Sequence, residues 1–345
     1  MKLKLLQRVA PLLISFLLII PACSKKSKKE LWIYTSMYKD MIEMMKEDVQ
    51  KEFPDITIQW FASGSEKVAA KVNAELEAKN LQADILMTSD PFFYIDLKNK
   101  GLLTPYESPN SKNIPPALKD SEHYFATQRV PVVVMAYNRN VLKPHELPKT
   151  FKELTEEKWK GKVVMGSPLE SGTTFTAVAS LNAKYGWDFF KKLRANNVVS
   201  AGGNSTVREK LESKEFSVGM ILLENILQAQ AQGSPLEPIY PDDGVIMVPS
   251  PVAIFKRTAD LDLAKHMIDF LFSERGQRWM IKANMYSANP ILPPPENAKP
   301  FGFILKHSFP WNSEFAQSGS KNLDSSDFCY SSFIFWCVPS ASTGL

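Results

Sequence analysis

The chain has 345 residues, 44% of them hydrophobic, and a formal net charge of +4. Seven of its 41 Lys and Arg fall within residues 1–29, which hold no Asp or Glu, so the remainder carries 34 basic against 37 acidic residues. A long, slightly acidic body without a basic stripe argues against nucleic acid as a partner and leaves room for two domains with large cores.

Residues 1–22 read as a secretory signal. Lys2, Lys4 and Arg8 precede an apolar run from Val9 to Ile20, and Ala22 stands directly before Cys23. About a dozen apolar residues fall short of the roughly 20 that span a bilayer as a helix. The segment Ile20-Pro21-Ala22-Cys23 resembles a bacterial lipobox, with Ile in place of the usual Leu. That resemblance implies lipid on Cys23, with residues 23–30 as a basic tether suited to an anionic membrane surface. Cys329 and Cys337 are the only other cysteines, and nothing in the sequence requires them to pair.

From Leu31 onward, short β-rich runs alternate with amphipathic stretches, the pattern of an α/β domain. Leu31 to Thr35 is a first strand. A helix follows from Tyr38 to Phe53, with Met41, Met45 and Val49 at four-residue spacing and Pro54 as its stop. Ile56, Ile58 and Trp60 alternate in a second strand. Ser63 and Glu66 have capping-box spacing before a helix through Val68, Val72 and Leu76. Ala83 to Thr88 is a third strand, and Ser89-Asp90-Pro91 starts a helix that stops near Gly101.

Val130 to Tyr137 reads as one long apolar strand, followed by a Pro- and Lys-bearing connection from Val141 to Gly161. A second set of strands and helices runs from Lys162 to about Pro249. Val252 to Phe255 is another buried strand, and a helix passes through Ala264, Met267, Ile268 and Leu271. The economical reading has the chain leave a first domain near Tyr137, build a second, and return near Pro251. Two crossings make a hinge. From Pro300 the chain is rich in Ser and Phe and loses periodicity, so residues 300–345 read as an atypical tail, consistent with a frameshifted or truncated gene end or with a divergent one.

Three segments rich in small and hydroxyl residues stand where strands feed helices: Ser63-Gly64-Ser65, Ser171-Gly172-Thr173-Thr174, and Asn204-Ser205-Thr206 with Arg208 just beyond. Free N–H groups and partial positive charge at helix N-termini suit phosphate, phosphonate or carboxylate. The plainer reading of each segment is a helix cap, and Thr206 with Glu209 also has capping-box spacing. The four histidines, His123, His145, His266 and His307, form no metal-type pair, and no nucleophile elbow or phosphate-binding Lys loop is present. No cofactor and no resident metal are expected, and an enzyme on this fold is the remote alternative.

The ordered set Val134-Met135-Ala136-Tyr137-Asn138-Arg139, Glu146-Leu147-Pro148-Lys149-Thr150-Phe151, Lys158-Trp159-Lys160-Gly161 and Val252-Ala253-Ile254-Phe255-Lys256 resembles extracellular solute-binding proteins of the ferric-iron and organophosphate type. The resemblance implies a clamshell like the type II periplasmic binding proteins, two lobes joined by a two-strand hinge. On the crossings above, lobe 1 takes residues 31–136 and 251–299 and lobe 2 takes 137–250. It implies a monomer, exported to the periplasmic face of a bacterial membrane, that hands its solute to a permease with its ATPase; a sensory partner is the alternative. Tyr137 would sit at the hinge. In iron-binding members adjacent tyrosines hold the ferric ion near the positions that here read Leu223, Glu224 and Asn225, so an anionic solute is favoured over iron. Glu224 and Asn225 would then face hydroxyls or an ammonium on that solute.

Overall fold

The structure, a computed structural model, describes residues 29–304 and Lys306. The signal segment, Cys23, the tether up to Lys28, His307, Cys329 and Cys337 lie outside the described residues.

The first lobe begins with β1 (Lys29–Thr35), α1 (Lys39–Glu52), β2 (Ile56–Ala62), α2 (Ser65–Glu77), β3 (Ile85–Met87), α3 (Pro91–Asn99), β4 (Leu103–Thr104) and β5 (Ala126–Val130). The second holds β6 (Val132–Asn138), β7 (Val163–Met165), α4 (Gly172–Tyr185), α5 (Trp187–Ala195), β8 (Val199–Ser200), α6 (Asn204–Glu212), β9 (Val218–Leu222), α7 (Leu223–Ala231), β10 (Leu236–Ile239) and β11 (Ile246–Met247). The chain then returns to the first lobe as β12 (Ser250–Phe255), α8 (Leu261–Phe272), α9 (Glu274–Lys282) and β13 (Tyr286–Ser287).

The sheet of lobe 1 has the order β13-β5-β12-β3-β1-β2, with β4 beside β12; that of lobe 2 has the order β10-β6-β9-β7-β8, with β11 beside β6. In lobe 1, β1, β2 and β3 are parallel while β12 and β13 run against them; in lobe 2, β7, β8 and β9 are parallel while β6 runs against them. Both faces of both sheets are buried, as the strand period of two requires when helices cover each side. On β12, Val252 and Ile254 join one core while Ala253 and Phe255 join the other. On β9, Val218, Met220 and Leu222 face one core and Ile221 the opposite one.

The hinge lies at Pro131. Val130 pairs with Tyr286 in the first sheet, and Val132 pairs with Met247 in the second. The return segment runs alongside, with the Val248 N–H donating to Pro131 O at 2.8 Å and Ser250 already opposite Arg129 in the first sheet. The expected crossing at Tyr137 is therefore corrected: residues 132–136 belong to the second sheet. The sequence hides the change because both flanks of Pro131 are equally apolar. A proline lacks the N–H that a central ladder needs, so it suits the point where one ladder ends and another begins.

Two further expectations shift. The Ser63–Glu66 capping box does not form: α2 is capped by Gly64 with no side-chain bond, and Glu66 Oε1 is buried without a partner. The chain also does not depart from the fold at Pro300, since Ile304 is buried in the first core, the Phe301 ring lies 5.0 Å from that of Tyr286, and Lys306 bridges to Val245.

Candidate functional site

The two sheets point the C-terminal ends of their parallel strands at each other, which is where open α/β sheets bind ligands. A cavity of about 270 Å³ lies between them. Lobe 1 lines it with the turns after β1, β2 and β3, and lobe 2 with the turns after β7, β8 and β9. Six helices, α1, α2, α3, α4, α6 and α7, start at those turns. In α1, α2, α6 and α7 the residue before the helix makes no side-chain cap bond, although Asp40 accepts from the Met41 N–H at 3.0 Å inside α1, whereas Asp90 caps α3 and Ser171 caps α4. The uncapped ends keep backbone donors and partial positive charge for whatever occupies the space.

The floor holds two buried ionisable groups. Arg129 is 2% exposed, and its guanidinium donates to Ser36 Oγ at 3.3 Å, Ser89 Oγ at 3.2 Å and Gln128 Oε1 at 3.4 Å. None of these partners is a carboxylate. Burial lowers its pKa to about 10, which still leaves it charged at neutral pH. Glu224, at the start of α7, is 5% exposed, and burial pushes its carboxyl up to about 8 against a smaller opposing pull from its own backbone N–H and from Arg129. The pair therefore presents a cation beside a carboxyl that is protonated at pH 7, so the cavity is net positive. The Tyr38 phenol, in van der Waals reach of the same space, is pushed up to about 12 by burial and by the Glu224 charge.

The hydroxyl-bearing turns are braced from behind. Asn204 donates to Thr173 Oγ1 at 3.0 Å and accepts from the Leu222 N–H at 3.2 Å, tying α4, α6 and β9 together. Ser171 Oγ pairs with Thr173 Oγ1 at 3.0 Å and accepts from the Thr174 N–H at 3.3 Å. In lobe 1, the Ser89 N–H donates to Ser36 Oγ and Ser65 Oγ, and Ser250 donates to Ser89 at 2.8 Å.

Of the residues selected from sequence, Ser63, Gly64, Ser65, Ser171, Gly172, Thr173, Asn204, Ser205 and Glu224 line this one cavity. Five do not. Arg208 turns outward to Glu212 at 3.0 Å and Gln232. Tyr137 sits at the next-to-last position of β6, paired with Val218 and Glu237 inside lobe 2. Thr174 packs against Gly166 and Thr206 against Gly202, both as helix-start residues. Asn225 lies behind Glu224 and meets the Tyr38 hydroxyl across the lobes at 3.4 Å. Arg129, Ser36 and Ser89 also line the cavity and stand outside the small-residue turns that the sequence singles out. The available signal was Thr127-Gln128-Arg129, a polar break in an otherwise apolar strand.

Among the described residues, no three His, Cys, Asp or Glu side chains converge on one point. The start of α7 brings Leu223, Glu224 and Asn225, and no tyrosine, to this end of β9.

Two lobes, a two-strand hinge and an interlobe cavity ringed by helix N-termini define a small-solute receptor of the clamshell class. Residues 80–307 match the bacterial extracellular solute-binding protein family, and the chain belongs to it. The periplasmic binding protein AfuA of Actinobacillus pleuropneumoniae, solved with fructose 6-phosphate, is 26% identical, superposes with a TM-score of 0.74, and is covered over 98% of its length by 86% of this chain. Iron-bound HitA of Pseudomonas aeruginosa, at 19% identity and a TM-score of 0.72 over 79% of this chain and 91% of HitA, shares the fold. A probable ABC transporter periplasmic-binding protein of Sinorhizobium fredii is 27% identical over 205 residues, 56% of this chain and 57% of its own length.

Proposed function

We propose that this protein is the solute-binding component of an ABC importer and captures a small phosphorylated or phosphonate solute between its lobes. The observation that carries this reading is Arg129, a buried cation on the cavity floor whose bonding partners are all neutral. An isolated buried charge is costly, and an anion from the solute is the group that offsets it. Hydrogen bonds to charged groups contribute about 1.5–3 kcal/mol each. Four or five of them, from Arg129, Ser36, Ser63 and uncapped N–H groups, reach the roughly 8 kcal/mol of micromolar affinity after ordering costs. Glu224 in its protonated form and Asn204 would meet hydroxyls on the rest of the solute. The bound fructose 6-phosphate in AfuA supports the same class of ligand.

The test is a thermal-shift series on protein lacking residues 1–23. Fructose 6-phosphate or an aminoalkylphosphonate is expected to raise Tm, and ferric citrate to leave it unchanged. A shift with ferric citrate alone overturns the reading in favour of iron. Export and lipid attachment at Cys23 belong to the same proposal. Cys23→Ser should move the protein from the membrane to the soluble fraction, and unchanged membrane retention would remove the anchor claim.

A further inference from the structure

The lobes meet beside the cavity at a contact over two carboxyl groups, the buried Asp90 and the half-buried Glu66 with one oxygen fully enclosed, and neither residue lines the cavity. Gly172, the first residue of α4, lies so close to lobe 1 that a Cβ there would stand 2.6 Å from Ser65 Cβ and 3.3 Å from Asp90 Cβ. A Cβ on Gly64 would likewise be 3.3 Å from Glu170 O. The Phe92 and Phe175 rings pack edge to face across the same contact at 5.9 Å. Beneath this seam are Glu66, whose Oε1 is buried with no hydrogen-bond partner, and Asp90, 9% exposed and occupied as the cap of α3.

Among the described residues, no cation compensates them. On α2, Lys67 is exposed and Lys71 is engaged with Glu75; on α3, Asp96 pairs with Lys100, and Lys98 with Asp120 and Glu122. From lobe 2, the turn Ser167–Ser171 brings one charged residue, the exposed Glu170, and the first charge along α4 is Lys184 at its far end. Arg129, the buried cation of the neighbouring floor, is directed at Ser36 and Ser89. Desolvation raises both carboxyls above the usual carboxylate range, and the Asp90 charge raises Glu66 further. The seam supplies that desolvation, because α4 covers the start of α2 and the cap of α3 only while the lobes are together.

We propose that closing the lobes draws a proton onto the Glu66–Asp90 pair, so that closure and proton uptake are one coupled event and the two residues position the lobes without touching the solute. The idea rests on the two-lobe reading and not on which solute is bound. With the lobes apart both groups face water and ionise in the ordinary range; with them together the pair retains a proton. Closure is therefore favoured at low pH and weakens as pH rises above the carboxylate range, at most tenfold per pH unit for one proton.

Hydrogen exchange of the ligand-free full-length chain tests this at pH 5.5, 7 and 8.5. Wild type is compared with Glu66→Gln at each pH, so that the intrinsic exchange chemistry cancels. Peptides spanning 62–70, 88–95 and 168–176 should lose protection with rising pH in wild type and keep it in E66Q, where the amide imitates the protonated acid. A protection ratio that is constant across pH overturns the proposal. Should E66Q not fold, Gly172→Ala decides. That variant holds the lobes apart, so the wild type should be many times better protected than it at pH 5.5 and nearly equal at pH 8.5, and a pH-independent ratio rejects the idea. Because no solute is present, either failure leaves the phosphorylated-solute reading intact.

Discussion

Arg129 and Glu224 face one cavity from opposite lobes, each almost wholly buried, the guanidinium held by Ser36 and Ser89 and the carboxyl raised to about 8. They are not an ion pair in the usual sense, since the carboxyl is protonated at neutral pH and the cation keeps its charge. The arrangement resembles a socket with one strong positive contact and one neutral donor: desolvation keeps the carboxyl protonated, and the guanidinium stays charged in spite of it.

Replacing Arg129 with Met removes the charge while keeping most of the volume. Losing one or two charge-assisted bonds costs about 1.5–3 kcal/mol each, so affinity for fructose 6-phosphate should fall roughly ten- to a hundredfold or more. Ser36, Ser89 and Ser250 still bond one another, and the penalty of the buried cation is gone, so Tm without solute should hold or rise. Calorimetric titration with a parallel melting curve separates the two effects. Equal affinity in R129M and wild type would show that the anion is held elsewhere.

Glu224 gives a pH dependence whose sign follows from its shift. The folded protein holds this proton up to about pH 8, whereas an unfolded chain releases it in the ordinary carboxylate range. Folding stability from this group is therefore fully present at low pH and is lost progressively as pH rises toward 8, at up to about 1.4 kcal/mol per pH unit. Glu224→Gln should flatten the decline of Tm between pH 5 and 8 and leave the variant more stable than wild type at the alkaline end. A decline of unchanged slope in E224Q would place the titration on another group.

Much of this was legible in the chain, for identifiable reasons. Strand alternation in Val252–Phe255 and helical spacing in Met41, Met45 and Val49 report burial directly, so the α/β order emerged with its helices nearly in place. The small-residue turns at 63–65, 171–173 and 204–205 announced themselves by composition, and the fold brings them together. Two things left no local trace. The switch of sheets at Pro131 occurs inside a uniformly apolar run. Arg208 sits beside a glycine-rich turn in sequence, but at its position in α6 it reaches Glu212 one turn on, and helical phase cannot be judged before the start of the helix is known. Arg129 gives no local sign of burial for the opposite reason: what encloses it are β12 and β13, which flank β5 and come from far along the chain.

Gly172 separates closure from local helix stability. Alanine is about 1 kcal/mol better than glycine within a helix, so Gly172→Ala should not weaken α4 itself. The added Cβ would stand 2.6 Å from Ser65 Cβ, a distance that forces the lobes apart. The expected result is an unchanged or higher Tm without solute, with affinity for fructose 6-phosphate reduced at least tenfold, measured by calorimetry. Full affinity in G172A would mean that the lobes close along a different path.

The C-terminal limit of the fold can be located by truncation. Tyr286 donates to Lys299 O at 2.6 Å, Lys306 donates to the carbonyls of Phe301 and Ile304, and the buried Ile304 side chain fills part of the first core. Fully burying such a side chain contributes about 1.5–3 kcal/mol, and the Phe301 ring against Tyr286 adds to it. Ending the chain after Lys306 should leave Tm and solute affinity as they are. Ending it after Pro300 should lower stability by about 3 kcal/mol and strain the hinge, because the Val245–Lys306 bridge ties this segment to the last stretch of lobe 2 before the return crossing. Urea titration of the two truncations distinguishes them, and equal midpoints would show that the 301–306 turn rests on the surface without supporting it.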